Sequence, residues 1–307
     1  MPNFTRNLPL RRQYVDGFRG IREGSAMKAP ERKQRLAVAA GDANPLAYVI
    51  SQNDAETLAM VQAALETRRL RLAFQPVVLA ADPDKVAFYE GFIRVLDVTG
   101  RVIPARDFMG AIETQELGRL IDCAALEMGL STLARQTDIR LAINMSARSI
   151  GYPRWMKTLK RGLQLSPTIG ERLILEITES SAMLVPELVM AFMDDLQREG
   201  IAFALDDFGA GFTAFRHLKD FFFDIIKIDG QFIRGIHRDR DNQVLTAALA
   251  QIARQFDMFT VAESVETVED AEYLRSVGID CLQGYLFGAP TASPGFAIDA
   301  KDGQRTG

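Results

Sequence analysis

The sequence predicts a single α/β domain built as a TIM-like (β/α)8 barrel, with a basic N-terminal extension in front of it. From Asp54 onward, short apolar runs rich in β-branched and aromatic residues alternate with longer amphipathic segments, as in repeated βα units around a parallel sheet. There are eight such runs, the number of strands in a barrel of this class. The 307 residues accommodate the roughly 250 residues of such a barrel.

The predicted elements follow one another in the order that a barrel requires. The eight predicted strands span residues 70–78, 86–95, 140–146, 172–178, 201–207, 224–229, 259–265 and 281–287. Apolar residues at helical spacing between them predict helices at residues 117–133, 186–198, 242–256 and 268–276.

The two ends of the chain differ in composition from the barrel. Residues 1–50 hold nine Lys or Arg against four acids and show no sustained apolar period, which predicts a flexible or loosely docked extension over residues 1–53. An arm that binds a partner or a nucleic acid is the alternative interpretation. The barrel domain is predicted over residues 54–297, and the polar, Gly-containing end predicts a disordered tail over residues 298–307.

Composition excludes several classes of function. A formal charge of −4 argues against a broadly basic nucleic-acid-binding surface, and two histidines cannot build a His-rich zinc site. Cys123 and Cys281 belong to no CxxC pair, so we interpret both as reduced core thiols. No apolar stretch approaches the roughly 20 residues of a membrane helix, and the sequence predicts a cytoplasmic protein.

Charged and amide side chains recur within or just after the predicted strands, where a buried strand should be apolar. They are Glu90, Asn144, Glu176, Glu179, Asp206, Asp207, Lys227, Asp229, Glu263, Glu266 and Gln283. A buried charge is costly unless it is paired or binds a metal, and the C-terminal strand ends of a TIM barrel open onto one face. The side chains either pair with one another in the barrel mouth or form a metal site.

Carboxylate and amide oxygens suit Mg²⁺ or Mn²⁺. Asp206 could bridge two ions about 4 Å apart, an arrangement that serves phosphoryl transfer. Lys227 could then orient the attacking water or offset charge in the transition state. The pattern predicts a metal-dependent phosphodiesterase.

The same residues occur within a series of short motifs. In order they read Phe-Gln-Pro-Val at 74–77, Tyr-Glu-Gly-Phe-Ile-Arg at 89–94, Asn-Met-Ser at 144–146, Leu-Glu-Ile-Thr-Glu at 175–179, Asp-Asp-Phe-Gly-Ala-Gly at 206–211, Lys-Ile-Asp at 227–229, Ala-Glu-Ser-Val-Glu at 262–266 and Gln-Gly-Tyr at 283–285. This series, over about residues 56–295, resembles the EAL domain family, bacterial phosphodiesterases that act on cyclic di-GMP.

The resemblance implies a role for each matching residue. Metal ligands would be Glu90, Asn144, Glu176, Asp206 and Asp207, with Asp206 shared between two Mg²⁺ or Mn²⁺ ions. Lys227 and Glu263 would engage the attacking water, and Glu179, counted with them as catalytic, would support the loop after Asp207. Gln75, Arg94 and Gln283 would lie near the substrate. The implied product is the linear dinucleotide pGpG.

The chain departs from the family pattern at several positions. Gly91 and Phe92 replace Ala and Leu of the signature, which changes the packing behind Glu90 and is expected to slow the chemistry. Ser264 replaces a Gly, and residues 212–215 replace the usual Tyr-Ser-Ser-Leu of the loop that would form a homodimer. Phe221, Phe222 and Phe223 stand where a Pro is common and predict a contact surface.

Three functions follow from the resemblance and these departures. The first is an active phosphodiesterase, which the complete set of ligands favours. The second is a catalytically weak or inactive cyclic di-GMP receptor that signals through a protein partner bound at the N-terminal extension or at the phenylalanines. The third is a scaffold that has lost the ligand.

Overall fold

A computed structural model describes residues 45–210 and 218–296, with side chains from Asp54 onward. The N-terminal extension up to residue 44, the altered loop at residues 212–215 and the predicted C-terminal tail therefore lie outside the described residues. The domain boundaries drawn from the sequence and the proposed dimer loop stay predictions.

The nine strands of the described chain form one sheet. They are β1 (Leu70–Leu79), β2 (Asp82–Leu96), β3 (Val102–Pro104), β4 (Leu141–Asn144), β5 (Leu173–Thr178), β6 (Ala202–Phe208), β7 (Ile225–Ile228), β8 (Phe259–Ala262) and β9 (Cys281–Gln283). The order is β1-β9-β8-β7-β6-β5-β4-β2-β3, and β1 also pairs with β2. The β1–β2 pairing closes eight strands into a barrel, and β3 adds to the edge of β2. The predicted (β/α)8 architecture is confirmed.

The sequence prediction of a parallel barrel is wrong for β1. This strand runs antiparallel to both neighbours, β2 and β9, whereas β2 and β4 to β9 are parallel to one another in turn. The cause is local, because only two residues separate β1 from β2 and a connection that short makes a hairpin.

The helices pack on the outside of the barrel. They are α1 (Pro45–Glu66), α2 (Met109–Ile112), α3 (Glu116–Arg135), α4 (Pro153–Leu163), α5 (Ile169–Arg172), α6 (Glu179–Ala182), α7 (Pro186–Gln197), α8 (Gly230–Ile233), α9 (Arg240–Gln255) and α10 (Val268–Ser276). All four helices predicted from the periodicity are present, with bounds that differ by two residues at most.

Local sequence signals explain where the longer helices begin. Asp239 caps α9 by accepting hydrogen bonds from the backbone of Asp241 and Asn242, and Thr267 caps α10 by accepting one from Asp270. Proline is the first residue of α4 and of α7, where its missing N–H has no helical partner to lose.

The barrel interior contains an apolar layer to which every barrel strand contributes. It consists of Val77, Ala87, Phe88, Ala142, Ile174, Ala204, Ile225, Val261 and Cys281. A second and larger core lies between the strands and the surrounding helices, and Trp155 and Cys123 are buried there. Both cysteines are free and buried, as the sequence predicts.

The three consecutive phenylalanines do not form the predicted contact surface. Phe221 and Phe223 are buried, with ring centroids 5.4 Å apart, and only Phe222 is substantially exposed. The prediction is wrong for these two residues because, in the segment just before β7, both of their side chains turn into the core. In the described part of the chain, no helix is long and apolar enough to cross a membrane.

Candidate metal and substrate site

A polar layer lies directly above the apolar layer of the barrel interior. Side chains two apart along a strand point to the same face, so each interior apolar residue predicts its neighbour in the layer above. Phe88 leads to Glu90 and Ile225 to Lys227 in this way. The same step gives Asn144, Glu176, Asp206, Glu263 and Gln283, and Gln75 when it is taken backward along the antiparallel β1.

Lys227 is the centre of this layer. Its Nζ lies 2.9 Å from Glu90 Oε2, 3.0 Å from Glu176 Oε2, 3.0 Å from Asp206 Oδ1 and 2.7 Å from Glu263 Oε1. The lysine side chain is 1% exposed, so water does not screen these interactions. Four strands thus bring four carboxylates onto one ammonium group.

Amide side chains hold Glu90 from the other side. Asn144 Nδ2 donates to Glu90 Oε1 at 2.8 Å, and Gln283 Nε2 donates to Glu90 Oε2 at 2.7 Å. Gln75 accepts from Gln283 at 3.2 Å and donates to the backbone oxygen of Gly288 at 2.9 Å. The two glutamines predicted to lie near the substrate are therefore in the site, where they are buried and orient a carboxylate.

The close packing of like charges changes the proton affinity of the cluster. Burial and the Glu90 carboxylate raise the pKa of Glu176 well above its usual value, and burial likewise raises the pKa of Glu263. Burial alone would lower the pKa of Lys227, but the carboxylates around it outweigh burial and raise it well above its usual value. The carboxylates therefore favour the charged form of Lys227, and the cluster around it favours additional positive charge.

Asp206, Asp207 and Glu263 offer the geometry of a cation site. One carboxylate oxygen from each lies within 4.8 Å of the others. Asp207 has a φ of +55°, a conformation that non-glycine residues seldom adopt, and burial beside Asp206 raises the pKa of Asp207 to about 6. This backbone turn places two consecutive aspartates at one site.

The donor set fits the divalent ions predicted from the sequence. Glu90, Glu176, Asp206, Asp207 and Glu263 are five carboxylates facing one ammonium, a formal excess of four negative charges that two divalent cations would balance. Among the described residues, Glu176 Oε1 is buried and accepts no hydrogen bond. A buried orphan oxygen in an all-oxygen donor set is suited to Mg²⁺ or Mn²⁺.

Glu179 lies beside the cluster, at the start of α6. It is buried, and its Oε2 accepts a hydrogen bond from the backbone of Gly209 at 3.0 Å. Gly209 follows β6 with a φ of +93° and leads into the loop outside the described residues. The contact joins the start of α6 to the backbone just after β6, and the predicted role of Glu179 toward the loop stays a prediction.

The polar layer forms the floor of an open cleft of about 620 Å³. Arg94 lines one side, with its guanidinium 5.2 Å from the centre of the Phe92 ring. Burial and the neighbouring Arg106 lower the pKa of Arg94. A cation above an acidic floor can bind an anionic ligand whose phosphate lies at the metal site.

The glycine of the altered signature is explained by its neighbour on β4. A Cβ at Gly91 would lie 2.9 Å from Ile143 Cδ1, and one at Gly129 would lie 2.8 Å from the same atom. Ile143 thus fills the space that an alanine at 91 would need. With glycine at this position, the Glu90 carboxylate makes hydrogen bonds with Asn144, Lys227 and Gln283.

We expect Gly91→Ala to lower the free energy of unfolding by about 1–3 kcal/mol, because overpacking strains a close-packed core. Adding Ile143→Val removes the Cδ1 atom, so the double variant should be more stable than Gly91→Ala alone. Urea denaturation measures both. Gly110→Ala is the matched control, since a Cβ there meets no atom within 4 Å. If the losses of stability from the two substitutions simply added in the double variant, the proposed contact between a side chain at position 91 and Ile143 would be contradicted.

The sequence interpretation did not single out Asp122, which also lines the cleft. This α3 residue is buried, and its Oδ2 accepts hydrogen bonds from Ser149 Oγ at 2.6 Å and from the Ser146 backbone at 3.1 Å. Burial raises its pKa to about 6. A charged residue on the otherwise apolar face of α3, between Ile121 and Ala125, was the available signal.

The raised pKa of Asp122 predicts a pH dependence of stability. The folded state holds the proton more tightly than the unfolded chain, so this contribution is complete below the usual pKa of 3.8 and is lost as the pH rises through about 6. Asp122→Asn removes the titration. Its stability relative to the wild type should therefore rise by up to about 3 kcal/mol between about pH 4 and pH 7. A constant difference across that range would be evidence against a buried acid.

The fold and the cleft define a class of protein, a (β/α)8 barrel with a carboxylate-rich site at the C-terminal ends of its strands. The chain belongs to the EAL domain family, whose model matches residues 58–290. The resemblance seen in the motifs is confirmed.

Named relatives support the same assignment. The bifunctional diguanylate cyclase/cyclic di-GMP phosphodiesterase MucR of Pseudomonas aeruginosa is 30% identical over 247 residues, covering 78% of this chain and 36% of MucR. The cyclic di-GMP phosphodiesterase PdeF of Escherichia coli is 32% identical over 235 residues, covering 75% of this chain and 31% of PdeF. The chain spans about a third of the length of these relatives.

Solved structures with the same fold include complexes. The PaMucR phosphodiesterase in complex with c-di-GMP superposes with a TM-score of 0.67 at 28% identity, over 77% of this chain and 97% of that one. The FimX EAL domain of Pseudomonas aeruginosa bound to c-di-GMP superposes with a TM-score of 0.71 at 25% identity, over the same shares of both chains.

Proposed function

We propose that this chain hydrolyses cyclic di-GMP to the linear dinucleotide pGpG at the cleft above the polar layer, with two Mg²⁺ or Mn²⁺ ions. The observation that carries the proposal is the convergence of four carboxylates on the buried Lys227, with Asp207 beside them. Ligand binding without chemistry does not need such a concentration of negative charge. Two relatives carry the name of this activity, and two structural neighbours hold the ligand.

The ions would be held by Glu90, Asn144, Glu176, Asp206 and Asp207, with Asp206 shared. When bound, they supply the positive charge that activates a water molecule and stabilises the oxygen leaving phosphorus. Asn144 donates to Glu90 through Nδ2, so its amide oxygen can serve as a metal ligand without any change of hydrogen-bond partner.

Lys227 serves the reaction as a fixed cation. Its ammonium group donates hydrogen bonds to Glu90 and Glu176. It holds Glu90, Glu176, Asp206 and Glu263 around one centre, and its charge would offset negative charge that develops on phosphorus oxygens. Glu263, 2.7 Å from Lys227 and grouped with Asp206 and Asp207, would engage the attacking water.

The substrate would be held by the walls of the cleft. Arg94 supplies a cation for phosphate, and the Phe92 ring beneath it keeps the guanidinium in place. Gln283 and Gln75 keep Glu90 aimed at the same centre. Glu179 would stabilise the start of the loop after Asp207 through Gly209.

Product analysis combined with binding separates the enzyme from a receptor. Purified protein is incubated with cyclic di-GMP and Mg²⁺ or Mn²⁺, and the linear product is followed by chromatography. We expect product with either ion and none in chelator. Micromolar or tighter binding by calorimetry, without product in either ion, would favour the receptor. Absence of saturable binding would favour a scaffold.

A further inference from the structure

Ser264 lies just after β8 in a strained conformation. Its φ of +56° lies in the left-handed region, which a serine occupies at a cost of about 1–2 kcal/mol. The residue lines the cleft between Glu263 and Glu266. Strain of this kind persists only where the surrounding contacts hold it, so the contacts of the serine hydroxyl are informative.

The serine hydroxyl accepts a hydrogen bond from Arg234 Nη2 at 3.0 Å. Space for this contact comes from Gly230, because a Cβ there would lie 2.4 Å from Ser264 Oγ and 3.2 Å from Arg234 Nη2. The absence of a side chain at Gly230, on α8, thus leaves room for Ser264 to hold the side chain of Arg234.

Arg234 is available to a ligand. Its nearest acid is Glu266, whose Oε1 lies 3.8 Å from Nε, too far for a hydrogen bond, and both side chains are more than half exposed. An exposed ion pair of this kind contributes little to the stability of the fold. Within the described residues, this guanidinium makes one hydrogen bond, to Ser264. Four of its five N–H donors are therefore available to a ligand.

The distribution of charge in the cleft indicates that those donors can bind a phosphate. Lys227 is enclosed by four carboxylates on the floor, and Arg94 and Arg106 lie on the β2–β3 side. Arg234 also lines the cleft, shortly after β7. A cyclic dinucleotide carries two phosphodiesters, and each needs a cation in a cleft with this many acids.

We propose that Arg234 is a binding residue for a phosphodiester oxygen of the ligand and that Ser264 is the positioning residue that aims it. The inference rests on the proposed function for the identity of the ligand. The phosphate contact lies on the β7–β8 side of the cleft, where it affects the affinity for the ligand and not the chemical step.

The test compares four proteins, the wild type, Arg234→Ala, Ser264→Gly and the double variant, with Arg238→Ala as control. Arg238 is an exposed arginine of the same loop and does not line the cleft. The dissociation constant for cyclic di-GMP is measured by calorimetry in chelator, and KM and kcat in Mn²⁺. Thermal unfolding is followed for every protein.

We expect Arg234→Ala to raise the dissociation constant and KM about ten- to a hundredfold, the loss of one charge-assisted contact, with kcat within about threefold. Ser264→Gly should weaken binding at least about threefold while its unfolding temperature is unchanged or higher, because glycine relieves the strained φ. In the Arg234→Ala background Ser264→Gly should have no further effect.

The inference is overturned by a dissociation constant for Arg234→Ala within twofold of the wild type, or by equal effects of Ser264→Gly in both backgrounds. Wild-type binding without turnover would remove the proposed hydrolysis but leave the Arg234 measurement intact. No binding by the wild type would overturn both.

Discussion

Replacing Lys227 by methionine should strongly destabilise the protein. The variant leaves Glu90, Glu176, Asp206 and Glu263 together without the cation that each of them contacts. Removing one partner from a buried ion pair costs about 3–5 kcal/mol, and here one cation serves four anions. Turnover should fall by at least a factor on the order of 10², because the carboxylates proposed to act at the metal site lose the cation that holds them in place.

Urea denaturation in chelator measures the loss of stability, and the same measurement in Mn²⁺ measures how far divalent charge replaces the lysine. The ion should stabilise Lys227→Met more than the wild type, since the variant has the larger excess of negative charge. Lys160→Met, at an exposed position of α4, controls for the loss of a lysine. A Lys227→Met variant as stable as the wild type in chelator would refute the central role of this ammonium group.

Asp206→Asn should have the opposite effect on stability and a larger effect on activity. The asparagine keeps the shape of the side chain and removes one of the excess negative charges, so the metal-free protein should be as stable as the wild type or more stable. Because we propose Asp206 as the ligand shared by both ions, affinity for Mn²⁺ should fall by on the order of 10²-fold or more. Turnover should fall about a thousandfold, the equivalent of several kcal/mol of transition-state stabilisation.

Calorimetric titration with Mn²⁺ gives the affinity, and product formation at saturating Mn²⁺ separates weak metal binding from a defect in chemistry. Asp195→Asn, on the exposed face of α7, is the matched control and should behave as the wild type in both assays. Unchanged Mn²⁺ affinity in Asp206→Asn would exclude this residue as a shared ligand.

Strand periodicity made the barrel predictable from the sequence, including its eight strands and four of its longer helices. The direction of β1 was not predictable in the same way, since an apolar run shows that a strand is buried and not which way it runs. The short connection between Leu79 and Asp82 held that information. The phenylalanines at 221–223 were misinterpreted because a run of aromatic residues does not show which of its side chains turn into the core.

The polar layer was predictable because each of its members breaks an apolar strand pattern. Lys227 between Ile226 and Ile228 is the clearest case. Contacts that depend on which elements become neighbours were not predictable. Ile143 fills the space beside Gly91, and Ser264 meets Arg234, across sequence distances that carry no local signal. Asp122 was predictable in part. Its position on the apolar face of α3 predicts that it is buried, but only the fold shows that it accepts hydrogen bonds from Ser146 and Ser149.

The most direct test of the proposed hydrolysis is formation of linear pGpG from cyclic di-GMP by the wild type beside Glu90→Ala. Glu90 contacts Lys227, Asn144 and Gln283, so its removal dismantles the proposed metal site at one residue. We predict product from the wild type in Mg²⁺ or Mn²⁺, none in chelator, and a rate for Glu90→Ala lower by about a thousandfold. A wild type that binds the dinucleotide and yields no product in either ion, or a Glu90→Ala variant as active as the wild type, would contradict the proposed function.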